Sequence, residues 1–224
     1  MTNYERAAAA LQHIVPDRVP IFELMIDPRV IEAACPGCCY GDFVEKYDID
    51  IVMTGTPSSN YRTSVLDEKT GTFRDEWGVV RRFTEQTVPF PIQAPLQNDS
   101  DIESYIPPDP LDPLRFQQLQ DLLKRFKGKK MVGMHVHDAL SYPSYLRRMD
   151  QLMMDLMLHP ELVKRLIDMS LDHTIALMRK ARVLGAELFV FGDDYCGNAG
   201  PLMSPKHFEQ FFTPGLHELG VCRT

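Results

Sequence analysis

Residues 188–205, LFVFGDDYCGNAGPLMSP, decide how the rest of the chain is read. Four consecutive apolar residues, 188–191, show no polar alternation and suit a strand covered on both faces, as in a parallel sheet. Asp193 and Asp194 then fall just past its carboxyl end, the edge where parallel α/β folds bind ligands. Gly192, Gly197 and Gly200 let the backbone come close to a ligand there. Ser204-Pro205 signals the start of the next helix. The bland alternative is a solvated loop with a helix-capping aspartate.

Composition narrows the field. The 224 residues, 44% hydrophobic and 25% charged, are those of an ordinary globular chain. A net charge of −7, with no basic run beyond KGKK at 127–130, argues against nucleic acid or an anionic membrane as partner. No apolar stretch approaches the roughly 18 residues needed to span a bilayer. The N-terminus, MTNYERAAAALQH, lacks the apolar core of a signal peptide. Five cysteines, an odd number without secretory context, are expected as reduced thiols in a cytoplasm.

Taken in order, Asn3 is expected to cap a first helix from Tyr4 to about His13, and VPIFELM at 19–25 to form a first strand. Asp27-Pro28 restarts the chain as a helix to about Ala34. The CPGCC cluster at 35–39 lacks a second Cys or His pair at zinc-finger spacing, so a cysteine-lined turn is the better reading. A short helix from Gly41 or Asp42 precedes a strand at 48–54. Residues 61–90 change to short alternating runs with turn signals, an antiparallel hairpin insertion whose RDEWGVVRR charges are expected on one strand face. The proline-rich stretch 89–113 reads as an exposed connection with a short helix starting near Ser100, and 114–126 as an amphipathic helix.

MVGMHVH at 131–137 reads as a strand with Asp138 at its end. Period-2 geometry puts His135 and His137 on one face, open to a metal, a substrate hydrogen-bonding role or plain packing. A loop at 139–145 carries Ser141, Tyr142, Ser144 and Tyr145. Helices follow at 146–158 and 160–183, with core-filling methionines, and at about 205–219, ending at Gly220. Strands alternating with helices, and chemistry at strand carboxyl ends, suggest a parallel βα array. The absence of G-x-G-x-x-G after the first strand favours a (β/α)8 barrel over a doubly wound sheet. Four or five such strands are readable, so the expected architecture is an incomplete α/β TIM-type barrel of about five βα units across residues 1–224.

DRVPIFELM, DEWGVVRR, PLQNDSDIESYIPPDP and above all FGDDYCGNAGPLMSPKHFEQFFTPGLHEL resemble the uroporphyrinogen decarboxylase superfamily. That superfamily holds tetrapyrrole decarboxylases and corrinoid-linked methyltransferases, and the resemblance implies a (β/α)8 barrel. The decarboxylases carry an arginine-rich MRQAGR-type motif after the first strand; here FELMIDPRV offers only Arg29, too few cations for an octacarboxylate. DEWG and GDD resemble the methyltransferase branch, in which a zinc held by His-x-Cys and a distant Cys activates a thiol. No His-x-Cys occurs in these residues, so no cofactor is encoded here, and zinc is expected only of a longer version.

Candidate catalytic residues are therefore Asp193, Asp194, His135, His137 and Tyr142, with Asp138, Tyr145, Tyr195 and Gly197 as substrate contacts. The aspartates would touch substrate or stabilise positive charge, while the histidines and Tyr142 supply hydrogen bonds or move protons. The expected substrate is a small molecule and the expected partner a corrinoid protein, with homo-oligomerisation left open. Two alternatives stand beside methyl transfer: porphyrin-pathway decarboxylation, and an inactive, truncated barrel that associates through its open edges.

Overall fold

β1 (Ile51–Thr54) and β6 (Met131–Val136) are buried along their whole lengths, as unbroken apolar runs in a parallel sheet should be. They pair parallel, Ile51 opposite Met131, although some 80 residues separate them. The computed structural model describes residues 1–55, 63–85 and 88–221. The chain divides into two compact units: residues 1–55, 115–136 and 180–190 in the first, and 63–85, 88–114, 137–179 and 191–221 in the second.

In the first unit the sheet runs β1-β6-β7, with β7 at Leu188–Phe191. Gly133 allows the strands to close up: a Cβ there would meet Met53 Sδ at 2.6 Å and Leu188 Cβ at 3.2 Å. β7 is half-buried rather than enclosed, because it stands at the edge of the sheet. Helix α1 (Asn3–Leu11) lays Ala7 against Ile51, Met53 and Met131. Its cap is Thr2, not Asn3: Thr2 and Glu5 form a reciprocal capping box. α2 (Pro28–Ala34) starts at Asp27 as expected.

The strand expected at 19–25 reduces to one parallel bridge, Phe22 to Ile51. Pro20 has no N–H to donate, and the Ile21 N–H goes to the Asp50 carboxylate at 2.6 Å. Three strands thus make this sheet among the described residues, fewer than the four or five expected. Cys35 and Cys38 correct the expectation of reduced thiols. A turn (Cys38 N–H to Cys35 carbonyl, 2.9 Å) brings their Cα atoms to 5.4 Å and they form a disulfide. Cys39 and Cys196 are free and exposed, and Cys222 lies outside the described residues. α3 (Tyr40–Lys46) and α5 (Gln117–Phe126) complete this unit, α5 burying Leu119, Leu122, Leu123 and Phe126 as its spacing predicts. A 3-10 turn, Pro113–Phe116, replaces the expected first turn of that helix.

The insertion in the second unit is larger than one hairpin. β2 (Ser64–Asp67), β3 (Thr72–Arg74), β4 (Val80–Arg82) and β5 (Phe90–Gln93) form a four-stranded antiparallel meander; residues 61, 62, 86 and 87 of the expected hairpin lie outside the described residues. The charges of RDEWGVVRR do not share an exposed face. Asp75 turns inward to accept the Trp77 and Val79 N–H groups and Arg81 Nε, so both Asp75 and Arg81 are buried while Arg82 is exposed. Asx-type bonding of this kind competes with regular alternation. α4 (Asp99–Ser104) sits within the connection.

The loop at 139–145 begins a helix, α6 (Ser141–Arg147), and the helix expected at 146–158 is α7 (Met149–Leu158), set off from α6 by Arg148 at φ 70°. α8 (Pro160–Leu184) follows its predicted bounds closely. A two-residue hairpin, β8 (Cys196–Gly197) and β9 (Gly200–Pro201), precedes α9 (Pro205–Phe211) and α10 (Thr213–Val221). Ser204 caps α9 as expected, its Oγ accepting the His207 N–H. The single helix expected over 205–219 breaks at Phe212, since Pro214 cannot continue the ladder. No helix among the described residues is long and apolar enough to cross a membrane.

Candidate functional site

Residues directly beyond the carboxyl ends of β6 and β7 meet in the second unit. His137 and Asp138 follow Val136, and Asp193 follows Phe191 by two residues. Their backbone is pinned from α8: Ser170 Oγ donates to the Asp138 carbonyl at 2.8 Å and Thr174 Oγ1 to the His137 carbonyl at 2.9 Å.

Asp193 is the hub. Its side chain is 0% exposed and, besides its bond with Asp138, accepts from the Leu140 and Ser141 N–H groups (both 2.8 Å), Ser141 Oγ (2.6 Å) and His137 Nδ1 (3.0 Å). Burial alone would raise its pKa. The bonds from His137, Asp138 and Ser141 outweigh burial and hold it well below the usual carboxylate range. Asp193 is thus a fixed anion, and it assigns the His137 proton to Nδ1.

Asp138 has the opposite fate. It is buried, takes the Tyr195 hydroxyl at 2.5 Å and its neighbour Ala139's N–H, and shares a hydrogen bond with Asp193. Burial first, then the adjacent Asp193 charge, pushes its pKa up to about 7. Two carboxyl groups whose environments drive their pKa values apart divide the labour: one anchors, the other carries a proton near neutrality. Tyr195 is itself pushed up by burial and by Asp138, so it stays a phenol and a donor. Its ring stands edge-on to Phe208 at 5.0 Å and Phe212 at 5.4 Å, which fixes the hydroxyl.

Aromatic rings wall the His137 side. Tyr142 stacks on Trp77 at 3.9 Å and meets His137 edge-on at 5.1 Å, while Tyr145 meets His137 at 6.0 Å. Arg81 lies over the Tyr145 ring at 4.5 Å. His173 touches Trp77 and Tyr142, and a cavity of about 590 Å³ over α8 has His173 in its lining.

Of the residues singled out from the sequence, His137, Asp138, Tyr142, Tyr145, Asp193 and Tyr195 come together. Asp194 is exposed and joins none of these bonds, Gly197 is exposed in the β8-β9 hairpin, and His135 is buried inside β6 of the first unit. The sequence reading missed the Ser141 hydroxyl, Trp77, Arg81 and His173 as parts of the site. Ser141 was detectable, sitting in a loop beyond a strand end; the two backbone N–H donors carry no residue signature at all. Among the described residues no three His, Cys, Asp or Glu side chains converge as a metal-ligand set.

Residues 74–220, about two-thirds of the chain, match the uroporphyrinogen decarboxylase (URO-D) family. No curated protein sequence matches. Among solved structures, a methyltransferase from Methanosarcina mazei superposes with a TM-score of 0.72 at 17% identity, covering 100% of this chain and 68% of that one. At that identity the likeness is one of fold, here a mixed α/β fold with a parallel sheet. The match spans every residue of the cluster described above, from Trp77 to Phe212: the chain belongs to the uroporphyrinogen decarboxylase family.

Proposed function

We propose that the chain forms part of a (β/α)8 barrel that transfers a methyl group between a small molecule and a corrinoid carried by a partner protein. The observation that carries this reading is the pairing of a fixed anion, Asp193, with a proton-bearing neighbour, Asp138, around His137. A methyl group leaves a heteroatom more easily when that atom receives a proton as its bond to carbon breaks. Asp138 would supply it, with Tyr195 holding Asp138 in position and His137 standing beside Asp193. A corrinoid, when bound, supplies the methyl-accepting centre; the residues of this chain orient the donor, limit water and handle the proton. The zinc of the methyltransferase branch finds no matching donor set among the described residues, and no step here is routed through it. In this reading the protein works in the cytoplasm and is free to self-associate.

A second reading, decarboxylation in tetrapyrrole synthesis, draws support from Asp138 alone, whose proton could quench the carbanion left by CO2. Such a substrate needs several cations, and Arg81, over the Tyr145 ring, is already engaged by Asp75 at 2.6 Å. The test is to incubate the protein with free cob(I)alamin and a panel of methyl ethers, methylamines and methyl thioethers, reading methylcobalamin by absorbance. His137→Ala should lower the rate about 100-fold or more. An unchanged rate in that variant, or labelled CO2 released from a carboxylated tetrapyrrole with no methyl transfer, would sink the proposal.

A further inference from the structure

We infer that a hollow between β5 and the corner joining α6 to α7 binds a flat, uncharged, largely apolar small molecule. Its volume is about 620 Å³, within the range that holds such ligands. This assignment rests on the methyl-transfer reading only for which end of the ligand reacts; the binding itself does not depend on it.

One wall is apolar and wet. Phe90 and Ile92, both on the edge strand β5, line the hollow and are 61% and 44% exposed. Met149, from the start of α7, adds a third apolar side chain at 37% exposure. A ligand that takes this wall out of water gains affinity from the area it covers.

The charge in the lining cancels. Arg148 and Asp150 clasp each other in a fork, Nε to Oδ1 at 3.1 Å and Nη2 to Oδ2 at 2.7 Å. One guanidinium edge, Nε with Nη2, is therefore engaged, in a pair that stays open to solvent at 63% and 64% exposure. An anionic ligand has to lie near Asp150, and a cationic one near Arg148. An uncharged ligand meets neither obstacle. Arg148 takes φ 70° and ψ 141°, a conformation rare outside glycine, so the corner that presents this pair is set by the surrounding helices.

The floor leads to the site. Tyr145 lines the hollow, and its ring meets His137 edge-on at 6.0 Å while carrying Arg81 on its face. Ser144, beside it, donates its hydroxyl to the Ser141 carbonyl at 2.8 Å. A ring lying on Phe90 and Ile92 has one end against Tyr145, the lining side chain whose ring meets His137.

Three probes of one ring size separate the possibilities: benzamide (uncharged), benzoate and benzylammonium, titrated into the whole protein with binding read by ligand-observed NMR. We expect benzamide to bind at least ~10-fold tighter than either ion, and Ile92→Glu and Met149→Glu each to weaken it ~10-fold. Both substitutions fall at exposed positions, and circular dichroism verifies that the fold survives. Asp150→Asn releases the Arg148 fork and should tighten benzoate several-fold while leaving benzamide unchanged. Asp168→Ala, in the other cavity over α8, should change nothing. Benzoate binding as tightly as benzamide in the native protein, no benzamide binding, or benzamide binding indifferent to both glutamates would overturn the assignment. Benzamide binding with these dependencies but no methyl transfer would refute the reaction and leave the pocket standing. Methyl transfer with unaltered probe binding in both glutamate variants would refute the pocket and leave the reaction standing.

Discussion

Asp50 and Asp193 are both fully buried aspartates, one at the amino end of a strand in the first unit and the other beyond the carboxyl end of a strand in the second. Asp50 is clasped by two arginines, Arg6 Nη1 and Arg18 Nη1, each at 2.6 Å, with Asn3 and the Ile21 N–H filling in. Two backbone N–H groups, one hydroxyl and one imidazole hold Asp193, and none of these four is a permanent cation. Both pKa values are depressed against the effect of burial. The difference lies in the partners. Arginine does not titrate, so Asp50 is locked into a permanent ionic knot. The neighbouring carboxyl of Asp138 does titrate, at about 7, so Asp193 anchors a group that can exchange a proton. Anchoring a fold and anchoring a reaction use the same acid with different neighbours.

Four substitutions sharpen or break this contrast. Asp193→Asn should have the largest effect, because a carboxamide cannot accept all four donors and loses command of the His137 tautomer. We expect methyl transfer to fall about 1,000-fold, roughly 4 kcal/mol, with denaturant stability changing much less than the rate. A rate within a few-fold of the parent would remove Asp193 from the site. Asp50→Asn should do the reverse: a loss of about 3 kcal/mol in urea denaturation, since Arg6, left with Asp17 alone, and Arg18 both lose a buried anionic partner, and an unaltered pH-rate profile. If its pH profile shifts instead, the division between the two aspartates is wrong.

Asp138→Asn is a smaller test, and its sign is informative. The folded pKa of Asp138, about 7, lies above an unfolded value of about 3.9. Its contribution to stability is complete below about pH 4 and is lost as pH rises through about 7, at about 1.4 kcal/mol for each pH unit that separates the two values. Asp50 and Asp193 have the opposite sign, lending stability above the ordinary carboxylate range and losing it on acidification. Denaturation at pH 5 and pH 8 should therefore show the parent losing stability relative to Asp138→Asn, and the variant's rate should lack the decline through pH 7. Parallel stability curves for the two proteins would show that Asp138 is ionised throughout. The smallest effect is expected from Asp194→Asn, within about 2-fold in rate, because an exposed carboxylate in water contributes little. A loss near that of its neighbour would mean that Asp194 reaches the substrate directly.

Much of the frame was legible from residue order. The apolar runs of β1 and β6 announce enclosed parallel strands, Ser204-Pro205 and Asp27-Pro28 announce helix starts, and the long periodic pattern of α8 needs no tertiary help. The errors fall where a side-chain bond outbid the local pattern. Asp50 took the Ile21 N–H and left only a bridge of the strand expected at 19–25. Asp75 drew Arg81 inward and undid the expected polar face. The CPGCC cluster closed a disulfide that spacing alone had not required.

The sequence by itself determined that acids and histidines would stand at strand carboxyl ends, because strand period and turn chemistry are local properties. Only the tertiary structure decided which of them act together. Asp193 and Asp194 are adjacent and chemically identical, yet the donors that bury and depress Asp193 come from residues 52 to 56 positions away. Likewise His135 and His137 share a strand face by periodicity, but His135 is buried within its strand while His137 lies past the strand's end, where the chain turns toward Asp193. A pKa depends on what is within a few ångströms, and that neighbourhood is set by which segments pack together rather than by which residues are consecutive.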